Sequence, residues 1–330
     1  MSTNDFVKET GRDKLWEVMA EELRELQDES GFLKKELAKH VDCVLCGIDE
    51  TDPVFVKEGF HFVKCKKCGL VYVNPQVDTE KAYSWYRKLK SHDIWVDMVL
   101  TNDQQKEFDT KKFEGFCADL ERLIGKKGRV LDVGCSSGHF LDIARKRGWD
   151  VAGLELNDKA VKHARDVLGL DVRPQLLNES DFEPESFDVI SLWEVLEHVP
   201  DPRLVLNDCR KFLKPGGILA ILVPNRNALS AMILQEYCSC FGGRNHLWYF
   251  SIDALSKLLI QIGFHPIESE TKTILSQVNE ITGYMSYRNP YLSKPDEHDF
   301  KFQDDIKEKL EKFIFENNLG YKLLMYSAKD

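Results

Sequence analysis

"GRVLDVGCSSGHFLDIA", residues 128–144, is the stretch on which the fold turns. An apolar run, Val130-Leu131-Asp132-Val133, stops at Gly134, and Gly138 opens an amphipathic segment. This is how a strand passes into a helix around a ligand: glycine lets the backbone come close, and the turn lies beyond the carboxyl end of a strand. A dinucleotide turn needs G-x-G-x-x-G to cradle a pyrophosphate, and no such triplet can be drawn through "GCSSG" (134–138). Ser136 stands at the middle position. The expectation is that serine fits there with a negative φ.

Outward from this turn the chain alternates. "DVAGLEL", "DVRPQLL", "FDVISLW" and "ILAILVPN" read as strands, and "KAVKHARDVLG" and "PRLVLNDCRKFLKPGG" as helices, the latter ending at its glycine pair. "SIDALSKLLIQIGF" is a capped helix, and "HPIESET" and "GYKLLMYSA" close the chain as strands. Alternation of this kind predicts an α/β fold, a doubly wound parallel sheet with helices on both faces. Before it lie a helical segment (1–39) with apolar positions at Leu15, Met19, Leu23, Leu26, Leu33 and Leu37, broken near Gly31, and a helical lid or linker (76–127). Residues 128–330 form the main domain, with an insertion at about 274–318.

The bulk numbers narrow the partners. The 330 residues are 43% hydrophobic and 30% charged, with net charge -10. An acidic chain repels phosphate backbones, which argues against nucleic acid. No apolar run reaches membrane length, and "MSTNDFVKETGRDKLW" lacks a signal-peptide core. The nine cysteines are an odd number, and four of them have metal spacing, so a reducing cytoplasm is expected. A second copy of the chain remains an alternative partner through the N-terminal amphipathic segment.

"CVLCG" (43–47) and "CKKCG" (65–69) are two Cys-x-x-Cys-Gly knuckles. Their spacing predicts a zinc ribbon (40–75) in which Cys43, Cys46, Cys65 and Cys68 close a tetrahedral, structural Zn2+ site. Cys117, Cys209, Cys238 and Cys240 are expected to be ordinary thiols, as is Cys135, which also belongs to the glycine turn.

Glu155, in "GLELN", lies 21 residues past Gly134, where a carboxylate can accept hydrogen bonds from a ribose. With "SFDVISLWEVLEHVPDP", "LKPGGILAILVPN", "NHLWYFS" and "LLIQIGF" following in order, the chain resembles the class I S-adenosylmethionine-dependent methyltransferases. It is most similar to the branch of ubiquinone-biosynthesis O-methyltransferases and small-molecule enzymes. The resemblance implies a seven-stranded Rossmann-like sheet with S-adenosyl-L-methionine as cofactor. Asp132, Gly134, Cys135 and Gly138 would then hold the methionine end, and Glu155 the ribose. Leu176, Leu177 and Asn178 would flank the adenine, and Trp193 and Glu194 would lie beneath the methionine moiety. It also implies that Glu194, Glu197 and His198 can ligate a divalent ion. The ribbon, followed by "GLVYVNP", looks like the N-terminal module of bacterial methyltransferases of small molecules and sugars.

If the acceptor is a hydroxyl, a base must take its proton. His198 in "EVLEHVPDP" and His246 in "GGRNHLWYF" are the candidates, with His198 nearer in sequence to the strand end. Tyr83, Trp85, Tyr86 and Trp95 could form a lid, and "GYMSYRNPY" (283–291) could contact the acceptor; His92 has no assigned role. The expected function is O-methylation of a sugar, nucleotide-sugar or natural-product intermediate. The alternative is an RNA base methyltransferase whose ribbon grips RNA through Lys57, Lys64, Lys66 and Lys67.

Overall fold

A computed structural model describes residues 12–78, 83, 87, 89–272 and 304–330. Helix α1 (Arg12–Leu26) ends well short of residue 39. Asp28 accepts hydrogen bonds from the backbone N–H of Ser30 and Phe32, closing a turn at Gly31. Leu33 is then buried from an extended stretch and not from a helical face. The break expected at Gly31 is therefore present, but the helix does not resume beyond a single 3-10 turn at Lys35–Leu37.

The ribbon comes next in the chain as β1 (Thr51–Lys57), β2 (Phe60–Cys65) and β3 (Val71–Val73). Helices α2 (Lys90–Thr101) and α3 (Asp103–Ile124) succeed it. Asn102 caps α3 by accepting from Gln105 N–H, and Gly125 ends it at φ 72°.

The main domain then alternates: β4 (Arg129–Val133), α4 (His139–Lys146), β5 (Asp150–Leu154), α5 (Asp158–Asp166), β6 (Val172–Arg173), β7 (Phe187–Trp193) and α6 (Pro202–Phe212). It continues through β8 (Leu213–Pro224), α7 (Leu229–Leu234), β9 (Trp248–Tyr249), α8 (Ile252–Ile262), β10 (Phe264–Lys272), α9 (Asp304–Glu316) and β11 (Lys322–Lys329). Of the expected insertion, residues 304–318 are described and include α9; "GYMSYRNPY", Trp85 and Tyr86 lie outside the described residues.

Seven strands form one sheet in the order β10-β11-β8-β7-β4-β5-β6. Its centre is parallel, and β11 runs antiparallel to both β8 and β10. Strand β7 is buried at all seven positions, as a central parallel strand covered on both faces must be. Its alternate residues feed two cores. Val189 packs with Phe116, Phe140 and Val161 from α3, α4 and α5. Ile190 packs with Leu206, Phe212 and Leu258 from α6 and α8. This is the doubly wound α/β sheet that the alternation implied.

One helix end differs from expectation. Helix α6 stops at Phe212, and the glycine pair Gly216-Gly217 lies inside β8, at a register shift between Leu213 and Ile218. Pro215 explains it, since proline disfavours helical backbone at the residue before it and cannot donate within a helix.

The ribbon is built into this domain. Strand β3 pairs with β9, with Tyr72 opposite Trp248 and Val71 opposite Tyr249, so the four-stranded ribbon sheet reads β9-β3-β2-β1. Tyr72 and Trp248 stack at 5.3 Å, and Arg203 of α6 donates to the carbonyls of Val44 and Leu45 in the first knuckle.

Candidate active site

The turn after β4 is assembled by backbone bonds. Gly134 and Cys135 N–H both donate to the carbonyl of Leu154 at the end of β5, at 2.7 and 3.0 Å. Gly134 and Gly138 take φ 74° and 84°. A Cβ on Gly134 would fall 2.6 Å from Val195, and one on Gly138 2.7 Å from Leu170, so both positions need glycine for space as well as for backbone. Ser136 does not have the expected negative φ; it sits at 48°. That conformation costs a non-glycine residue about 1–2 kcal/mol. Ser136 N–H donates to Glu155 Oε2 at 2.8 Å, which helps to hold the strained residue in place.

Glu155 also accepts from Leu156 N–H at 2.6 Å and Asn157 N–H at 2.8 Å. Three of a carboxylate's roughly four acceptor sites are thus taken, which leaves one, on Oε2, for a further donor. Burial raises the pKa of Glu155 against the pull of these three donors. Asp132 is buried beneath the turn, accepts from Ser191 Oγ at 2.7 Å, and is pushed by burial up to about 8. Asn157 reaches from the same loop to Asp93 of α2 at 3.0 Å, which pins α2 over this end of the site.

The other expected cofactor residues are distributed around it. Leu176, Leu177 and Asn178 come after the edge strand β6, with Leu177 turned into the core and Asn178 exposed. Trp193 ends β7 but is packed inward, stacked on Phe116 at 4.5 Å with Phe140 edge-on at 5.2 Å. Cys135 is buried in that same core, as an ordinary thiol would be.

Beyond β7 the chain turns sharply. Glu194 has φ 59°, and its carboxylate accepts from Lys322 Nζ of β11 at 2.6 Å. Burial acts to raise the Glu194 pKa, but the Lys322 ammonium overrides it and holds the group at about 2. Glu194 is therefore spent on Lys322. The ligand atoms that converge are instead those of Glu197, His198 and His246, all within 4.8 Å of one another. The divalent set expected as Glu194, Glu197 and His198 is corrected accordingly.

The two histidines, 48 residues apart in sequence, have ring centroids 4.7 Å apart. His198 Nδ1 lies 2.8 Å from the carbonyl of Asn245, and His246 Nδ1 lies 3.0 Å from the carbonyl of Cys240. A carbonyl can only accept, so each Nδ1 carries the proton and each Nε2 the lone pair. Burial keeps both neutral: the His198 pKa is pushed well below its ordinary value, and that of His246 down to about 4. His92 of α2 lies close enough to His198 for a positive charge on it to oppose one there. Glu197 is fully buried with no hydrogen-bond partner among the described residues at either carboxylate oxygen, and burial raises its pKa to about 8. Two imidazole lone pairs and one buried carboxylate without a donor are a donor set that suits a divalent ion.

The four cysteines come together as expected. Their sulfurs lie within 4.8 Å of one another, with Cys43–Cys68 and Cys46–Cys65 each at 3.4 Å. The knuckles repeat one geometry: Gly47 N–H donates to the Cys43 carbonyl at 2.8 Å, and Gly69 N–H to the Cys65 carbonyl at 2.9 Å. Burial pushes the Cys43 thiol up, partly offset by the N–H groups of Cys46 and Leu45. At Cys65 burial also acts upward, but the Cys68 N–H and the neighbouring thiols bring it to about 7. Four sulfurs with N–H groups aimed at them fit a tetrahedral thiolate site with no open position.

Lys322 went unassigned in the sequence, although a lysine inside the apolar strand "GYKLLMYSA" is a visible anomaly.

Residues 108–269 match the family model described as a methyltransferase domain. Among curated proteins, the chain is 41% identical over 124 residues to a ubiquinone biosynthesis O-methyltransferase of Thiobacillus denitrificans, covering 35% of this chain and 53% of that protein. It is 39% identical over 118 residues to the protein of that name from Idiomarina loihiensis, covering 34% and 47%. The chain thus spans about half the length of the curated relatives it matches. Among solved structures, magnesium protoporphyrin IX methyltransferase from Synechocystis shares the fold, with TM-score 0.51 at 15% identity over 77% of this chain and 100% of that one. A glycine turn without a pyrophosphate cradle, an acidic residue closing the second strand and the matched family model lead to one conclusion: residues 108–269 form a methyltransferase domain of the S-adenosylmethionine-dependent class I kind.

Proposed function

We propose that the protein methylates a hydroxyl of a small molecule, of the sugar, nucleotide-sugar or natural-product kind, with His198 as the base. The name shared by the curated relatives, O-methyltransferase of ubiquinone biosynthesis, supports a hydroxyl acceptor. The observation that carries the reading is the neutral His198–His246 pair, its lone pairs on Nε2, at the end of the strand beside β4.

S-adenosylmethionine supplies an already activated methyl group, so the protein's work is alignment, water exclusion and proton transfer. Glu155 and the turn at 134–138 would orient the cofactor. Nε2 of His198 would accept the proton that leaves the acceptor oxygen as the new C–O bond forms. His246 stands beside it as a second acceptor. A divalent ion held by Glu197, His198 and His246 would be the alternative to that role: it would occupy the His198 Nε2 lone pair and lower the pKa of an acceptor hydroxyl instead. Cys43, Cys46, Cys65 and Cys68 would hold a structural zinc.

The ribbon is built as a brace. Lys57 is turned inward to the carbonyl of Cys238 at 3.0 Å, and Lys66 lies 3.7 Å from Asp52, so two of its four lysines are already engaged. The deciding experiment is transfer of labelled methyl from S-adenosylmethionine into a metabolite extract, with and without RNase. Label in a small molecule that survives RNase is expected. Label confined to RNA would overturn the acceptor class, and no transfer would overturn the activity.

A further inference from the structure

Several inward-turned cations among the described residues meet a counter-charge or a carbonyl, and Arg226 meets neither. Lys322 meets Glu194, Lys329 meets Glu185 and Arg244 meets Glu22. Arg226 has no hydrogen bond and no ion pair to its guanidinium among the described residues, and its Nε is shut off from water. The guanidinium faces the Phe241 ring, whose centroid is 5.5 Å from Cζ. Burial lowers its pKa from the ordinary guanidinium value.

The backbone that carries Arg226 is fixed. Asn225 is buried and donates through Nδ2 to the carbonyls of Gly320 and Asn318, while Arg226 N–H donates to the carbonyl of Phe250 at 2.8 Å. Arg226 lies two residues past the end of β8. Strand β8 neighbours β7, which ends at the histidine turn, on the side away from β4 and the cofactor turn. Its aromatic neighbour Phe241 is 4.9 Å from Tyr249, whose ring is 6.4 Å from His246. A positioned guanidinium without a counter-charge is costly to the folded protein, and its planar fork matches a carboxylate or a phosphate.

We propose that Arg226 is the anion-recognition residue of the acceptor site, and that the acceptor carries a carboxylate or phosphate group beside its reacting hydroxyl. This rests on the methyltransferase reading above and narrows it to anionic acceptors. The anion completes the missing pair, so its recognition is separate from the cofactor end of the site.

The test uses full-length, zinc-replete protein saturated with S-adenosylhomocysteine, titrated with 4-hydroxybenzoate, its neutral amide and inorganic pyrophosphate. Binding of at least one anion and not of the amide is expected, and which anion binds separates a carboxylate from a diphosphate. In Arg226→Gln that anion should bind about tenfold to a hundredfold more weakly, with Arg226→Lys between the two. S-adenosylhomocysteine affinity should be unchanged in both, and Arg226→Gln should melt no lower than the native protein because an unpaired charge is gone. If Arg226→Gln does not fold, the ranking of Arg226→Lys below the native protein decides. Anion affinity within about twofold of native in the variants, or no anion bound by the native complex, overturns the proposal. A native protein that fails to bind S-adenosylhomocysteine overturns the methyltransferase reading instead.

Discussion

The two ends of the proposed site, one for the cofactor and one for the acceptor, are built from different material. At the cofactor end, the carboxylate of Glu155 takes three backbone N–H groups, and Gly134 and Cys135 close on Leu154, all within residues 134–157. At the acceptor end the groups come from α2, the turn after β7, the loop before β9 and the ends of β8 and β11. Two of them have capacity unspent: among the described residues the buried Glu197 has no donor and the part-buried Arg226 no counter-charge. The first end is held ready by backbone geometry. The second stores polar groups whose desolvation is offset only when something binds. A rigid cofactor end and an incomplete acceptor end fit an enzyme that binds one constant ligand and one selected ligand.

Metal removal should give the largest effect and the sharpest contrast. About one zinc per chain is expected, and structural thiolate sites contribute on the order of 10 kcal/mol of binding free energy to folding. Through β3 the ribbon pairs with β9, and Val73 N–H donates to Leu247 beside His246. Chelation or Cys65→Ser should therefore lower the melting temperature strongly and disturb the histidine NMR signals, while surviving protein still binds S-adenosylhomocysteine. Metal-replete protein found without zinc would break the contrast.

Next comes His198→Ala. It should lower turnover by about 10²–10⁴-fold with S-adenosylhomocysteine affinity nearly intact. A fall of less than about tenfold, well short of that range, would make His198 a scaffold residue and move the role to His246.

Glu155→Ala acts on the other end. It strands the N–H groups of Ser136, Leu156 and Asn157 and removes the remaining acceptor, so S-adenosylhomocysteine affinity should fall about tenfold to a hundredfold by calorimetry. Unchanged affinity would mean that the ribose lies elsewhere.

The smallest effect is on stability against pH. Asp132 is held at about 8 in the folded protein, well above the ordinary carboxylate value. Its proton is kept on folding, so its contribution is full in acid and is lost as pH rises toward 8. For one proton the slope is at most about 1.4 kcal/mol per pH unit. Asp132→Asn should flatten the ligand-free protein's loss of stability between pH 5 and about 8. A native curve already flat over that window would contradict the burial of this carboxylate.

What the amino-acid order determined was whatever depends on near neighbours or on strict spacing. The strand-turn-helix at 128–144, the carboxylate at Glu155 and the four sulfurs were legible because each is fixed by local backbone geometry or by fixed ligand intervals. Local rules also failed in specific places. Ser136 takes a positive φ because a carboxylate 19 residues away binds its N–H. Helix α6 stops before the glycine pair because β8 claims Leu213 onward as strand. Leu33 and Leu37 lie beyond the end of α1, although their spacing continued its apolar face.

Only the tertiary structure decided the acceptor end. His246 reaches His198 because Leu247 N–H donates to the Glu197 carbonyl, a bond across about fifty residues that no periodicity encodes. Lys322 reaches Glu194 because β11 returns antiparallel beside β8, which removes Glu194 from the converging ligand set and leaves Glu197 there. In the sequence Arg226 is one loop cation among others, and the absence of a partner among the described residues shows only when its surroundings are in place. The physical reason is common to all three. Sequence spacing constrains groups joined by a few rigid bonds, whereas charge pairing and burial depend on which distant strands the sheet brings side by side.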